Sequence, residues 1–274
     1  MKAVCTICPH ACVLEEGDLG ICRARRNEKG SVISINYGKI TSIGLDPIEK
    51  KPLARFMPGT RILSVGSFGC NLACPFCQNH EIACASAEIA VRTISPEELA
   101  DMAHGLMPEN NIGVAYTYNE PLIGYEYVRD SAMLVHERGL KNVLVTNGFV
   151  NLKPLKDLLP LIDAMNIDLK GFTDEFYKKL GGWLEPVKTT IATAAKSCHV
   201  EVTTLVIPEE NDSEEEMLAL SSWLAKLDPE IPLHISRFFP RHLYADKHPT
   251  SVEAVYRLAA AARTNLKYVY TGNC

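Results

Sequence analysis

From residue 61 onward, short apolar or β-branched runs alternate with stretches of helical spacing. The runs are "RILSVGS" (61–67), "GVAYTY" (113–118), "NVLVTN" (142–147), "AMNIDLK" (164–170), "VEVTTLVIP" (200–208) and "LHISRFF" (233–239), with "LKYVY" (266–270) a candidate seventh. Runs this short and this apolar read as strands buried on both faces. Helix starts stand between them. Ser95-Pro96-Glu97-Glu98 places an N-cap before a first-turn proline, and Ser213 to Glu216 carries a capping-box pattern. Pro121 opens a helix that Gly139 stops. Strand-helix alternation predicts a parallel sheet covered by helices. The expected fold is α/β, a partial (β/α)6 TIM-like barrel over residues 61–274, with a doubly wound open sheet as the structural alternative.

Residues 1–60 follow a different pattern and read as a small Cys-rich amino-terminal extension with a β-like linker. The first thirty residues hold four cysteines and the basic stretch Arg23-Ala24-Arg25-Arg26. "SVISINYGKITSIGL" (31–45) is β-like, broken at Gly38, and "DPIEKKPLARFMPGT" (46–60) is a proline-punctuated loop.

In βα architectures the chemistry gathers at the C-terminal ends of the strands. The unusual residues stand there. Cys70, Cys74 and Cys77 follow the first run, Asn119-Glu120-Pro121 the second and Thr146-Asn147-Gly148 the third. Asp168-Leu169-Lys170 ends the fourth, and His234 to Arg241 spans the end of the sixth.

Composition narrows the classes. The chain has 274 residues, 47% of them apolar, and a net charge of −5, enough to bury a sizeable core. No block of five like charges and no bilayer-length apolar stretch occurs, so neither a nucleic-acid partner nor a membrane span is indicated. Met1-Lys2-Ala3-Val4 runs straight into Cys5, and the expectation is a cytoplasmic chain without a signal peptide. Ten cysteines in a reducing compartment read as metal or redox sites rather than disulfides. Cys84, Cys198 and Cys274 stand alone and read as bystanders.

The spacing C-x3-C-x2-C of Cys70, Cys74 and Cys77 admits three readings. It can hold an iron-sulfur cluster, contain a Cys-Pro-Phe-Cys redox pair that leaves Cys70 idle, or form a zinc knuckle with His80 as fourth ligand. With Phe76 before the last cysteine and a strand before the first, the motif resembles that of the radical S-adenosylmethionine (SAM) superfamily. From about residue 5 to the end, "TYNEP", "VTNGF", "DLKG" and "SRFFP" resemble the radical enzyme of the AmmeMemoRadiSam group, itself similar to pyruvate formate-lyase activating enzymes, the glycyl-radical activases.

That resemblance implies an anaerobic, oxidoreductase-type enzyme. Cys70, Cys74 and Cys77 would hold a [4Fe-4S] cluster, and SAM would bind at its open iron. Reductive cleavage would give a 5'-deoxyadenosyl radical that abstracts hydrogen from a protein, peptide or small molecule. A flavodoxin or ferredoxin would supply the electron. Carried over by motif, Asn119 and Glu120 would bind the SAM amino group and the backbone of Phe76 would meet adenine. Asn147 would face the ribose or methionine part, Asp168 and Lys170 would lie near the carboxylate, and His234 would be a further cofactor contact. Two positions depart from the activases. Val145 stands where they carry a cation-binding aspartate, and Thr203 where they carry an arginine. Arg237 and Arg241 are candidate replacements for that charge. With His242 they suit an anionic group, or simply form a solvated basic loop.

Cys5, Cys8, Cys12 and Cys22 form a separate set, C-x2-C-x3-C-x9-C, with His10 inside it. Four soft ligands suffice for a closed site. Structural zinc and a second iron-sulfur cluster both remain open.

Overall fold

The computed structural model describes residues 1–89 and 92–274. One eight-stranded sheet dominates. Its strands are β1 (Ser42–Pro47), β2 (Arg61–Gly66), β3 (Asn111–Tyr116), β4 (Lys141–Thr146), β5 (Ala164–Asp168), β6 (His199–Val206), β7 (Leu233–Arg237) and β8 (Val269–Gly272). They neighbour one another in chain order, with β1 at one edge and β8 at the other. Strands β2 to β8 are parallel, and β1 pairs antiparallel to β2, Ser42 opposite Gly66 and Pro47 opposite Arg61.

The expected α/β partial barrel is therefore present, and the candidate seventh run supplies its last parallel strand. One segment goes elsewhere than its pattern implied. Residues 42–47, grouped above with the amino-terminal linker, form the edge strand of the main sheet.

Alternation along the strands separates two cores. Leu63, Val65, Val114, Leu144, Ile167, Val202 and Ile235 face outward onto the helices. The neighbouring positions Ile62, Ala115, Val143 and Ala164 pack inward on Ile48 and Leu53. The loop after β1 thus enters the floor of the barrel. There the Asn166 amide donates to the Pro52 carbonyl (2.8 Å), and the Ala54 and Arg55 N–H groups donate to the Glu201 carboxylate (3.0 and 2.8 Å).

The helix starts are largely as the sequence predicts. Ser95 caps helix Pro96–Gly105 with a complete capping box to Glu98. Ser95→Ala should cost about 1 kcal/mol, read as a lower urea midpoint with unchanged slope. Ser213 caps Glu214–Leu227, but Glu216 does not complete the box, because its carboxylate accepts instead from the Phe172 N–H. Pro121 opens a 3-10 turn, Pro121–Gly124, before the helix Tyr125–Glu137 begins.

Candidate active site

The segment between β2 and helix His80–Ala83 carries Cys70, Cys74 and Cys77. It has no regular structure, so its shape comes from individual contacts. Asn119 supplies several. Its side-chain oxygen accepts from Ser67 N–H (2.9 Å), and its amide donates to the Phe68 and Gly69 carbonyls (3.2 and 3.1 Å). Asn79 donates to the Tyr118 carbonyl at 2.7 Å, tying the far end of the loop to the same turn. Ala73 N–H donates to the Leu180 carbonyl (2.8 Å).

The three thiols lie close enough to influence one another. Burial pushes all three pKa values up, that of Cys74 to about 11. Cys74 raises Cys70 further and Cys77 raises Cys74, while Lys170 favours the Cys74 and Cys77 thiolates. Burial favours the neutral amine of Lys170, but Asp168 and Cys74 outweigh it and hold the amine protonated. Its Nζ sits 2.9 Å from Asp168 Oδ2.

Glu120 is buried and close enough to Cys70 to raise the thiol's pKa. It accepts from Leu122 N–H (2.9 Å), Thr146 Oγ1 (2.7 Å) and Asn147 N–H (2.8 Å). Burial still pushes its pKa up to about 7, with Asp168 adding to the rise. A carboxyl poised there would favour a nearby cation. The Asn147 amide touches the Cys70 sulfur at 3.6 Å and donates to Asn71 Oδ1 at 2.9 Å. Cys70, Cys74, Cys77, Glu120, Asn147, Asp168 and Lys170 therefore form one connected group at the C-terminal strand ends.

The remaining expected contacts sit differently. Phe76 is buried in a separate cluster with Phe176, Leu180, Ile207 and Phe238, its ring parallel to Phe176. The Asn119 side chain is engaged with the loop backbone. His234 bonds Glu201 Oε2 (2.6 Å) and stacks on Tyr270. Thr203 pairs with the Asn166 side chain (2.9 and 3.0 Å). Arg237 donates to the Thr250 carbonyl (2.6 Å), and Arg241 is exposed. His80 stacks on His242, with ring centroids 4.5 Å apart.

The amino-terminal cysteines come together as a second group. Strands Ala3–Val4 and Val13–Leu14 pair, bringing Cys5 N–H to the Cys12 carbonyl (2.9 Å). Burial raises Cys8 to about 11, and Cys5 and Cys22 raise it further. A β-carbon at Gly20 would lie 3.6 Å from the Cys22 sulfur and 3.8 Å from that of Cys12. Sequence reasoning missed the residue that joins the two groups. The Asn71 side-chain oxygen accepts from Asn147 (2.9 Å), and its backbone carbonyl bonds His10, inside the four-cysteine motif, at 2.8 Å. Its position between two clustered cysteines was the available signal.

Residues 64–221, more than half the chain, match the family model of the radical SAM superfamily. The chain belongs to that superfamily. As a radical SAM enzyme, it uses a [4Fe-4S] cluster and SAM. An uncharacterized protein of Methanocaldococcus jannaschii, MJ0808, is 42% identical over 277 residues, covering 99% of this chain and 81% of that one. The pyruvate formate-lyase 1-activating enzyme of Escherichia coli strain K12 is 28% identical over 164 residues, and the match spans 58% of this chain and 65% of that enzyme. A crystallised domain of the pyruvate-formate lyase-activating enzyme from Bacteroides vulgatus superposes with a TM-score of 0.51 at 18% identity, covering 59% of this chain and 99% of that one. Streptococcus suis SuiB bound to SAM superposes with a TM-score of 0.58 at 13% identity, covering 75% and 48%. These two likenesses concern the fold. Among the described residues, no helix is long and apolar enough to cross a membrane.

Proposed function

We propose that Cys70, Cys74 and Cys77 hold the [4Fe-4S] cluster of a radical SAM enzyme that abstracts hydrogen from a protein, peptide or small-molecule substrate. The observation that carries this reading is the three-thiol loop beside Lys170, with Glu120 and Asn147 against Cys70. The donor set fits the group. Three thiols are one fewer than a closed cluster takes from protein, which leaves one iron for an outside ligand. When bound, cluster and SAM together supply a one-electron C–S cleavage to methionine and a 5'-deoxyadenosyl radical.

The chain's own residues bind and orient. Lys170 offsets thiolate charge and, with Asp168, lines the cofactor's carboxylate side. Glu120 provides the buried carboxylate for the amino group, held by its three donors, and Asn147 spaces it from Cys70. The backbone at Phe76 meets adenine. Asn119 acts by shaping residues 67–69. His234 stands near the start of β7, where Glu201 holds it at the barrel floor, the end opposite the cluster loop. The Cys-rich extension supplies Cys5, Cys8, Cys12 and Cys22 as a second metal site, beside a barrel whose sheet begins at residues 42–47. A low-potential flavodoxin or ferredoxin supplies the electron in an anaerobic cytoplasm.

Anaerobically reconstituted protein given dithionite and SAM should form 5'-deoxyadenosine. Lys170→Ala should weaken SAM binding by roughly tenfold, read as the SAM concentration needed to shift the cluster's electron paramagnetic resonance (EPR) spectrum. A reduced cluster whose spectrum ignores SAM would sink the reading. The match to the Escherichia coli enzyme favours a second substrate, a glycine in a glycyl-radical enzyme. Val145 and Thr203 weigh against it. A glycyl EPR doublet on a co-purified partner would decide for it.

A further inference from the structure

The chain between β7 and helix Val252–Ala262 leaves the barrel at the end where the cluster loop stands. It closes on itself at its neck. Thr250 N–H donates to the Phe238 carbonyl (3.2 Å), Arg237 Nε donates to the Thr250 carbonyl (2.6 Å), and Thr250 Oγ1 donates to the Val206 carbonyl (2.6 Å). Phe238 and Thr250 are both buried. Residues 238–250 therefore form an Ω-loop, a compact excursion whose two ends meet. Beyond the neck, Phe239, Arg241 and Leu243 are exposed.

The tip of that loop bends back onto the residues around the three cysteines. Tyr244 N–H donates to the Pro75 carbonyl (3.2 Å), the Tyr244 ring lies against Phe76 with centroids 6.1 Å apart, and His242 stacks on His80. His242 takes φ +53°, a backbone region that side chains of its size rarely adopt. Such strain persists only where surrounding contacts hold it.

Glu210, on the turn after β6, supplies the anchor. Its Oε1 accepts from the Tyr244 hydroxyl (2.9 Å) and faces Lys247 Nζ (3.3 Å), while Oε2 accepts from Lys179 Nζ (2.7 Å). The turn is itself fixed. Asn211 Oδ1 accepts from Ile207 N–H (2.7 Å), and the Asn211 amide donates to the Leu205 and Lys170 carbonyls (2.9 and 2.7 Å). One carboxylate on a rigid turn beside Lys170 thus holds two side chains of the Ω-loop. Hydrogen bonds to a carboxylate are stronger than neutral ones. A loop fastened at its tip by side chains still opens at far lower cost than the barrel unfolds.

We infer that residues 238–250 are a lid over the Cys74–Cys77 side of the cofactor site, and that Glu210 is the positioning residue that latches it through Tyr244 and Lys247. This rests on the reading that Cys70, Cys74 and Cys77 hold the cluster, with adenine at the Phe76 backbone. The lid lifts to admit SAM, reseats over it and keeps bulk water out of the barrel mouth.

Hydrogen–deuterium exchange of the oxidised, cluster-loaded protein, with and without SAM and with no reductant, tests the lid. Peptides within 239–249 should exchange roughly threefold or more slowly once SAM is bound. Tyr244→Phe, which removes one hydroxyl, and Glu210→Gln should each speed exchange there by roughly threefold in SAM-free protein, while β7 and helix Val252–Ala262 keep their wild-type rates. Both variants should also raise, by roughly threefold, the SAM concentration that gives half of the protection. A loop that only braces the barrel would exchange alike with and without SAM, and that result overturns the lid. Protection that both variants leave unchanged overturns the latch at Glu210. Should Glu210→Gln fail to fold, Tyr244→Phe decides alone. If SAM protects neither 239–249 nor the peptide carrying Cys70 to Cys77, the cluster reading falls and the lid with it. Protection of the cysteine peptide alone refutes only the lid.

Discussion

Glu201→Ala should destabilise the protein by about 3–5 kcal/mol at pH 7, because it strands four donors at the floor of the barrel. Glu201 is fully buried. One oxygen accepts from His199 (2.9 Å) and Arg55 N–H, the other from His234 (2.6 Å) and Ala54 N–H. Burial alone would raise its pKa, but the two imidazoles and two backbone donors outweigh it and bring it down to about 2, against an ordinary 4.5. A depressed carboxyl stabilises the folded state fully above its unfolded value, and that contribution fades as pH falls from about 4.5 towards about 2. Urea unfolding of wild-type and Glu201→Gln protein should therefore differ by a constant amount from pH 5 upward. The gap should narrow steadily below the ordinary carboxyl value. A gap that is flat down to pH 3 would mean that the floor carboxyl is not held ionised. The same substitution frees His234, so any share of His234 in cofactor binding should appear as a changed SAM affinity.

That floor was the least legible part of the molecule. The strand runs and helix caps are local signals, and the sheet follows from them almost residue for residue. Asn119, Glu120, Asn147, Asp168 and Lys170 were legible as well, because strand ends are where a parallel barrel exposes polar side chains. The sequence pattern of 46–60 says only that the chain turns. Its destination depends on which inward residues are small, and Ala115 and Ala164 leave the room that Ile48 and Leu53 fill. The signal for Glu201 was a lone charge in an apolar run, but its partners stand at positions 54, 55, 199 and 234. The role of Asn119 shows the opposite limit. Its strand-end position was read correctly, yet a planar amide with two donors and an acceptor suits a loop backbone as well as a ligand. The seating of the extension was not legible either, since a Cys-rich segment carries no signal of which loop it meets.

Gly69→Ala should test how closely the extension is seated on that loop. Gly69 has φ +88°, and a β-carbon there would lie 2.4 Å from the Cys22 carbonyl oxygen and 3.0 Å from both Ala24 Cβ and Ile123 Cδ1. Alanine in that backbone region costs about 1–2 kcal/mol before any contact is considered. The clash adds to it, and the obstructing atom is backbone and cannot rotate away. Cys22, Ala24, Phe68 and Ile123 form one small apolar cluster, so relief requires the extension to move off the loop. Asn36 and Thr41 resist that movement, bonding the Phe68 and Ser67 carbonyls at 3.1 and 2.8 Å. The expected outcome is a loss of about 3 kcal/mol or more together with reduced metal at both cysteine groups, since one displaced backbone belongs to each. Thermal melting and metal content of the anaerobically purified variant measure the two effects. If the variant melts with wild-type protein and keeps its full metal content, the close seating of Cys22 on the cluster loop is wrong.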